Sequence, residues 1–340
     1  MYRLFFGLRE RPFDLTPNPR FLVLTRGHQE ALSNLEYGIA SRRGITALIG
    51  EAGTGKTTLI RTALERQPER VHTVYLHNPV LTRDEFVDTL ATRFHLPATA
   101  RTSKAQLLSE LEAVLRARDA QGETTALIVD EAQSLPLDLL EEIRLLGNIE
   151  TNETKLLSIV LAGQPELAAR LNDASLRQLK QRIALRCELH TLQPAETAAY
   201  LGGRIRAAGG VGAQVFTREA VMLIHEQSMG IPRSINVIAD NALLTAFALR
   251  VKPVNTQVIA EVARDLDLHS ATTHDAATKP PDGEEGPPSI LFFGNHVPEP
   301  VAAKEQVAAN AADADDPLEA VGLFRSVFPK WRRFSFLKGQ

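Results

Sequence analysis

Cys187 is the sole cysteine in the sequence, so no intrachain disulfide can form and a reducing compartment is permitted. In a strand-like stretch it is expected to be a small buried apolar residue rather than a nucleophile. The nine histidines form no ligand-spaced cluster, which leaves no His/Cys metal site to expect. No stretch approaches the ~18 uninterrupted apolar residues of a spanning helix. The N-terminal Met1-Tyr2-Arg3-Leu4-Phe5-Phe6-Gly7-Leu8-Arg9-Glu10 carries charges where a secretion signal needs an apolar run. The expectation is a cytoplasmic protein that at most touches a membrane. Net charge is nearly lacking as well. Seven of the 38 Lys+Arg and ten of the 41 Asp+Glu lie beyond residue 269, so the body before it is neutral and nucleic-acid binding is not favoured.

What is present starts with Gly50-Glu51-Ala52-Gly53-Thr54-Gly55-Lys56-Thr57, which fills every fixed position of the phosphate-cradling pattern G-x-x-x-x-G-K-[ST]. Ile45-Thr46-Ala47-Leu48-Ile49 before it reads as a buried parallel strand, and Thr57 to Leu64 after it as a helix. Glycines let the backbone close on a phosphate, and first-turn N–H groups with the helix dipole attract the anion. Residues Gly50 to Thr58 are therefore the expected nucleotide cradle, with Lys56 on the β- and γ-phosphates and Thr57 on Mg²⁺.

Further strands are expected at Val71–Leu76, Thr125–Val129, Leu156–Leu161 and Ala184–Leu189, with helices between them. Thr82-Arg83-Asp84-Glu85 is a capping box that starts one of those helices. Another is expected from Leu135 to about Ile149. This alternation predicts an α/β fold, a parallel sheet covered on both faces. From Pro194 to about His269 only helical segments remain, starting near Ala195, Thr217, Ile231 and Asn255 and interrupted by a Gly209–Gly212 linker. The expected organisation is an N-terminal segment and helix over 1–44, a nucleotide-binding core over 45–192 and a small all-α lid over 193–269. Residues 270–317 are poor in large apolar side chains and are expected to be a disordered acidic linker. Residues 318–340 interleave Phe324, Phe328, Trp331, Phe334 and Phe336 with five bases, a composition suited to peripheral membrane contact or partner docking.

Four apolar residues, Ala126 to Val129, precede Asp130-Glu131, a Walker B pattern that sets carboxylates at a strand's C-terminal edge. Asp130 is the expected Mg²⁺ residue and Glu131 the general base that takes a proton from attacking water. Gln164, after the fourth expected strand, can reach the same edge and help position that water. The guanine-recognition pattern Asn-Lys-x-Asp is missing, because Thr154-Lys155 runs into Leu156-Leu157, so GTP is disfavoured.

The sequence resembles an AAA+ ATPase of the Orc-like kind, and most closely the secretion-pathway ATPase A (ExeA/GspA-like) family. The resemblance rests on Phe6-Gly7-Leu8, Pro12-Phe13, Thr16-Pro17, Pro19-Arg20-Phe21 and the phosphate loop. It continues through Asp130-Glu131-Ala132-Gln133, Ala162-Gly163-Gln164-Pro165-Glu166-Leu167, Leu179-Lys180-Gln181-Arg182-Ile183 and Gly230-Ile231-Pro232-Arg233-Ser234-Ile235-Asn236. It implies ATP with Mg²⁺ and a homo-oligomer that drives or switches an envelope assembly machine for secretion, pili or polysaccharide export. It implies that Gln164 is the sensor-1 residue, that Arg233 is the sensor-2 arginine of the lid, and that Arg182 is an arginine finger for a neighbouring subunit. Arg177 and Arg186 compete with Arg182 for that last role. A DNA-associated regulator and a nucleotide-dependent switch with little hydrolysis are the alternative readings.

Overall fold

A computed structural model describes residues 2–16, 19–77 and 81–267. The acidic linker and the basic-aromatic segment expected beyond residue 269 lie outside the described residues.

Five strands, β1 (Ile45–Gly50), β2 (Val71–Leu76), β3 (Thr124–Val129), β4 (Leu157–Gly163) and β5 (Ile183–Leu189), form one parallel sheet in the order β2-β3-β4-β1-β5. The chain leaves β1 for the far edge, works back to β4, and crosses to the other side of β1 for β5. That reversal is where open α/β sheets bind ligands, beyond the strands' C-terminal ends. β4 lies between β1 and β3, so whatever follows β4 stands between the phosphate loop and Asp130.

The strands are nearly continuous apolar runs because both faces are covered. Leu127, Val129, Ile159 and Leu161 point to one apolar cluster, and Ala126, Ile128, Val160 and Ala162 point to another. Alternate residues of a strand thus serve opposite layers, as the pleat requires. After a short α1 (Tyr2–Phe6), helix α2 (Arg26–Ala40) joins α3 (Lys56–Glu65) on the second face. Helices α4 (Arg83–Arg93), α5 (Lys104–Ala120), α6 (Leu137–Leu146), α7 (Pro165–Leu171) and α8 (Arg177–Lys180) cover the first. Thr82 and Glu85 make both hydrogen bonds of the expected capping box.

Two local expectations are corrected. The helix expected from Leu135 is a 3₁₀ turn at Ala132–Ser134 followed by α6, because Pro136 stands at the N-cap and cannot continue the turn before it. The linker ending at Gly212 opens a one-turn helix, α10 (Gly212–Val215), after α9 (Pro194–Ala207). The bundle is completed by α11 (Arg218–Ser228), α12 (Pro232–Leu249) and α13 (Thr256–Asp265). Among the described residues, no helix is long and apolar enough to cross a membrane.

The N-terminal stretch packs with this bundle and not with the sheet. Tyr2, Phe6, Leu8, Phe13 and Phe21 share one apolar cluster with Leu192, Tyr200, Ile205 and Ile238. Buried Arg204 fastens it, donating to the Pro12 carbonyl at 2.6 Å and to the Tyr200 hydroxyl at 2.7 Å while its guanidinium lies over the Phe21 ring. Tyr2 donates to Asp240 at 2.6 Å. Residues 2–16 and 19–21 thus act as a strap that closes the bundle's core. Phe13→Ala should lower the unfolding free energy by about 3–5 kcal/mol in denaturant titration, because Phe13 is only 1% exposed. Leu15→Ala, two residues on and 56% exposed, should change it by less than about 0.5 kcal/mol.

Candidate functional site

The phosphate loop closes between β1 and α3 with Thr54 fully buried and its hydroxyl donating to the Glu51 carbonyl at 2.8 Å. The Lys56 ammonium is buried beneath the loop and donates to the carbonyls of Gly50 at 2.7 Å and Glu51 at 3.1 Å. Burial pushes its pKa down, and Glu131, Asp130 and Glu51 pull the other way. Gly53 is in the left-handed region at φ +84°, and a Cβ there would meet the Arg233 Cβ at 2.7 Å. A side chain at this position would therefore collide with the bundle that rests on the loop. The Arg233 N–H donates to the Gly53 carbonyl at 3.2 Å, so the first turn of α12 is docked directly on the cradle.

Across the end of β4, the Thr57 hydroxyl donates to the Asp130 carboxylate at 2.7 Å. Asp130 is buried, and two further donors meet its charge: the Tyr75 hydroxyl at 2.9 Å and the Glu131 N–H at 3.0 Å. Burial, and then the neighbouring Asp130 charge, push the Tyr75 phenol above its ordinary pKa, which keeps it a donor. Tyr75 comes from β2, the neighbour of β3 in the sheet. Nothing in its own surroundings in the sequence marks it, and only the strand pairing brings it to Asp130.

Glu131 stands in the left-handed region at φ 54°, uncommon for a residue with a side chain. Its carboxylate accepts from the Gln133 amide at 2.6 Å and the Gln164 amide at 3.2 Å. The other end of the Gln133 amide accepts the Gln164 backbone N–H at 3.1 Å, so Gln133 bridges the ends of β3 and β4. The Arg170 guanidinium holds the Gln133 carbonyl. The bridge needs glycine at the end of β4, since a Cβ on Gly163 would lie 2.8 Å from the Gln133 Oε1. The sequence motif contains Gln133, but the role of its side chain becomes apparent only from this geometry.

The sheet edge therefore brings together Lys56, Thr57, Asp130, Glu131 and Gln164, and docking of the bundle adds Arg233. The Arg233 side chain is exposed, and its guanidinium makes no hydrogen bond among the described residues. Arg182 is not brought to this edge. It precedes β5, at the end of the strand remote from the phosphate loop, where its charge lowers the Glu150 pKa in support of the stronger Lys155 pairing. Arg186 is engaged by Glu188 at 2.6 Å, and Arg177 opens α8 with its side chain exposed.

This architecture has known counterparts. A family profile described as an AAA domain matches residues 39–171. General secretion pathway protein A of Aeromonas hydrophila is 43% identical over 248 residues, which are 73% of this chain and 45% of that protein. Residues 39–171 are an AAA domain. The chain spans less than half the length of that curated relative. Solved structures share the AAA+ fold at low identity. The Aeropyrum pernix ORC2 protein (ADPNP-ADP complexes) matches at TM-score 0.56 and 20% identity, over 75% of this chain and 71% of that one. Cdc6p from Pyrobaculum aerophilum matches at TM-score 0.57 and 16% identity, over 75% and 70%.

In this AAA+ domain the contact of Gly53 with the bundle is directly testable. Gly53→Ala should weaken ATP binding by roughly tenfold or more in calorimetry, through left-handed strain of about 1–3 kcal/mol and displacement of Arg233. An unchanged affinity would show that loop and bundle separate without cost.

Proposed function

We propose that the chain binds ATP with Mg²⁺ at Gly50 to Thr58 and hydrolyses it, using hydrolysis to drive or switch assembly of a secretion, pilus or polysaccharide-export machine. The observation that supports this reading is the Glu131 carboxylate held by two amides beside a buried Asp130–Thr57 pair. The residues fit the ion: a hydroxyl and a carboxylate are hard oxygen donors of the kind Mg²⁺ takes. The cradle fits phosphate, because a Cβ on Gly50 or Gly53 would collide with neighbouring atoms at 2.9 Å or less. When bound, Mg²⁺ neutralises charge on the phosphate oxygens.

The chain's own residues would do the rest. Glu131 accepts the proton of the attacking water, and Gln164 orients that water while the Gln133 bridge fixes both. Lys56 is held in the loop by two carbonyls and exchanges them for phosphate oxygens. Arg233 lies beside the cradle with its guanidinium uncommitted, suited to charge developing on the γ-phosphate of its own subunit. Arg182 is separated from its own loop by the length of β5, about 20 Å at the usual rise per residue. It can complete only a neighbouring copy's site. The working form is accordingly a homo-oligomer at the cytoplasmic face of the membrane, with residues 318–340 providing contact to lipid or to proteins of the machine. The 43% identity to general secretion pathway protein A supports the choice of machine.

Two measurements test the proposal. Glu131→Gln should lower kcat by about 10²–10⁴ while leaving ATP affinity within roughly threefold; equal turnover would remove Glu131 as the base. Specific activity of the unaltered chain should rise with protein concentration, and Arg182→Ala should abolish that rise with a loss of up to about 10³–10⁵ at saturation. Concentration-independent activity, with Arg182→Ala harmless, would overturn the oligomeric site.

A further inference from the structure

A buried histidine outside every motif above touches the phosphate loop. His28 is 7% exposed and lies in the first turn of α2. Its Nε2 lies 3.1 Å from the Thr54 carbonyl, and its Nδ1 lies 2.7 Å from the Thr25 hydroxyl, which also caps α2. A carbonyl oxygen can only accept, so the proton is on Nε2, and in the neutral ring Nδ1 accepts from Thr25.

Thr54 and Gly55 share one planar trans peptide, whose C=O and N–H point in opposite directions. With the oxygen fastened to His28, the Gly55 N–H of that peptide points away from His28. That N–H donates no hydrogen bond among the described residues. It is therefore free for an anion, and its direction is set by a side chain 26 residues upstream.

The far side of His28 leads to the helical bundle. Val23 packs with the cluster that holds the strap and bundle, whereas Leu24 packs with the cluster of α2, α3 and the sheet. The chain crosses between the two bodies immediately before Thr25. The same imidazole thus grips the phosphate loop with one nitrogen and the crossing point with the other.

We propose that His28 is a positioning residue for the phosphate loop, holding the Gly55 N–H toward the phosphates and linking the loop's shape to the strap that moves with the bundle. This inference rests on the reading of Gly50 to Thr57 as an ATP site. It predicts an effect on binding rather than on the chemical step, because the N–H is aimed before and after reaction alike.

The test compares the full chain with His28→Leu, which keeps apolar bulk but loses both nitrogens, and His28→Gln, whose amide can still donate to Thr54. Thermal unfolding checks that each variant is folded, and Thr25→Val provides a milder change at the same contact. ATP affinity is measured by calorimetry, and amide hydrogen exchange is followed over residues 22–30 with and without ATP. His28→Leu should bind ATP about tenfold more weakly and raise KM by a similar factor, with kcat within about twofold. His28→Gln should recover most of that loss, and Thr25→Val should fall between. ATP should slow exchange at the crossing point in the unaltered chain and do so less in His28→Leu. Unchanged affinity in a folded His28→Leu, or equal loss in His28→Gln and His28→Leu, would overturn the inference while leaving the ATP site standing. If the unaltered chain bound no ATP, the reading of the loop and this inference would both fall.

Discussion

Two opposite charges are taken out of water at one sheet edge, the Lys56 ammonium and the Asp130 carboxylate, and the rest of the structure is arranged around making that tolerable. An unsatisfied buried charge costs several kcal/mol, so each must find hydrogen-bond partners within the fold. Lys56 takes two carbonyls of its own loop, and Asp130 takes the Thr57 and Tyr75 hydroxyls and one backbone N–H. These partners come from three different strand ends. The strand order β2-β3-β4-β1-β5 sets the β2 and β3 ends side by side with β1 one strand further on, and the two apolar layers hold the order in place.

The extent to which the sequence anticipates this structure follows from how local each feature is. The phosphate loop is eight consecutive residues, and the Walker B carboxylates end a short apolar run, so both are legible without a structure. The strands are equally plain, because a parallel strand buried on both faces is an uninterrupted apolar stretch. Tyr75, Gln133 and His28 are not legible. Each acts through a long-range contact, across 55, 31 and 26 residues respectively. A tyrosine in a strand, a glutamine in a turn and a histidine in a first helical turn have ordinary structural uses, and only pairing geometry distinguishes these from them. The packing of the strap is hidden for a related reason. Three prolines within residues 12–19 show that the segment is irregular but carry no information about which body its phenylalanines fill.

That last point changes how the helical bundle relates to the core. A bundle made only of residues 194–265 would be tied to the sheet by one covalent connection, after β5. With the strap built into its core, it is tied by two, the second entering α2 at Thr25. Two connections restrict relative motion to a rotation about the line that joins them. Both lie near the phosphate loop: Leu189, at the end of β5, packs within 2.9 Å of a Cβ placed on Gly50, and His28 holds Thr54.

A rotation axis beside the cradle has a mechanical consequence. On the proposed ATP reading, exchange of Lys56 from carbonyls to phosphate oxygens would act close to this axis and be magnified at the bundle's outer surface. The direct seat of α12 on Gly53 adds a third, non-covalent contact, one residue from the Thr54 carbonyl that His28 holds. If the cradle holds ATP as proposed, two fixed connections and one releasable contact would let the bundle act as a two-position element set by the cradle's occupant. Arg182 stands at the far end of the sheet, outside this arrangement; in the proposed homo-oligomer a neighbour would sense the nucleotide through the bundle's surface and return its arginine through a rigid strand. Sensing and catalysis would then run through different parts of the same subunit. Assembly can follow nucleotide state in such a design even where turnover is slow.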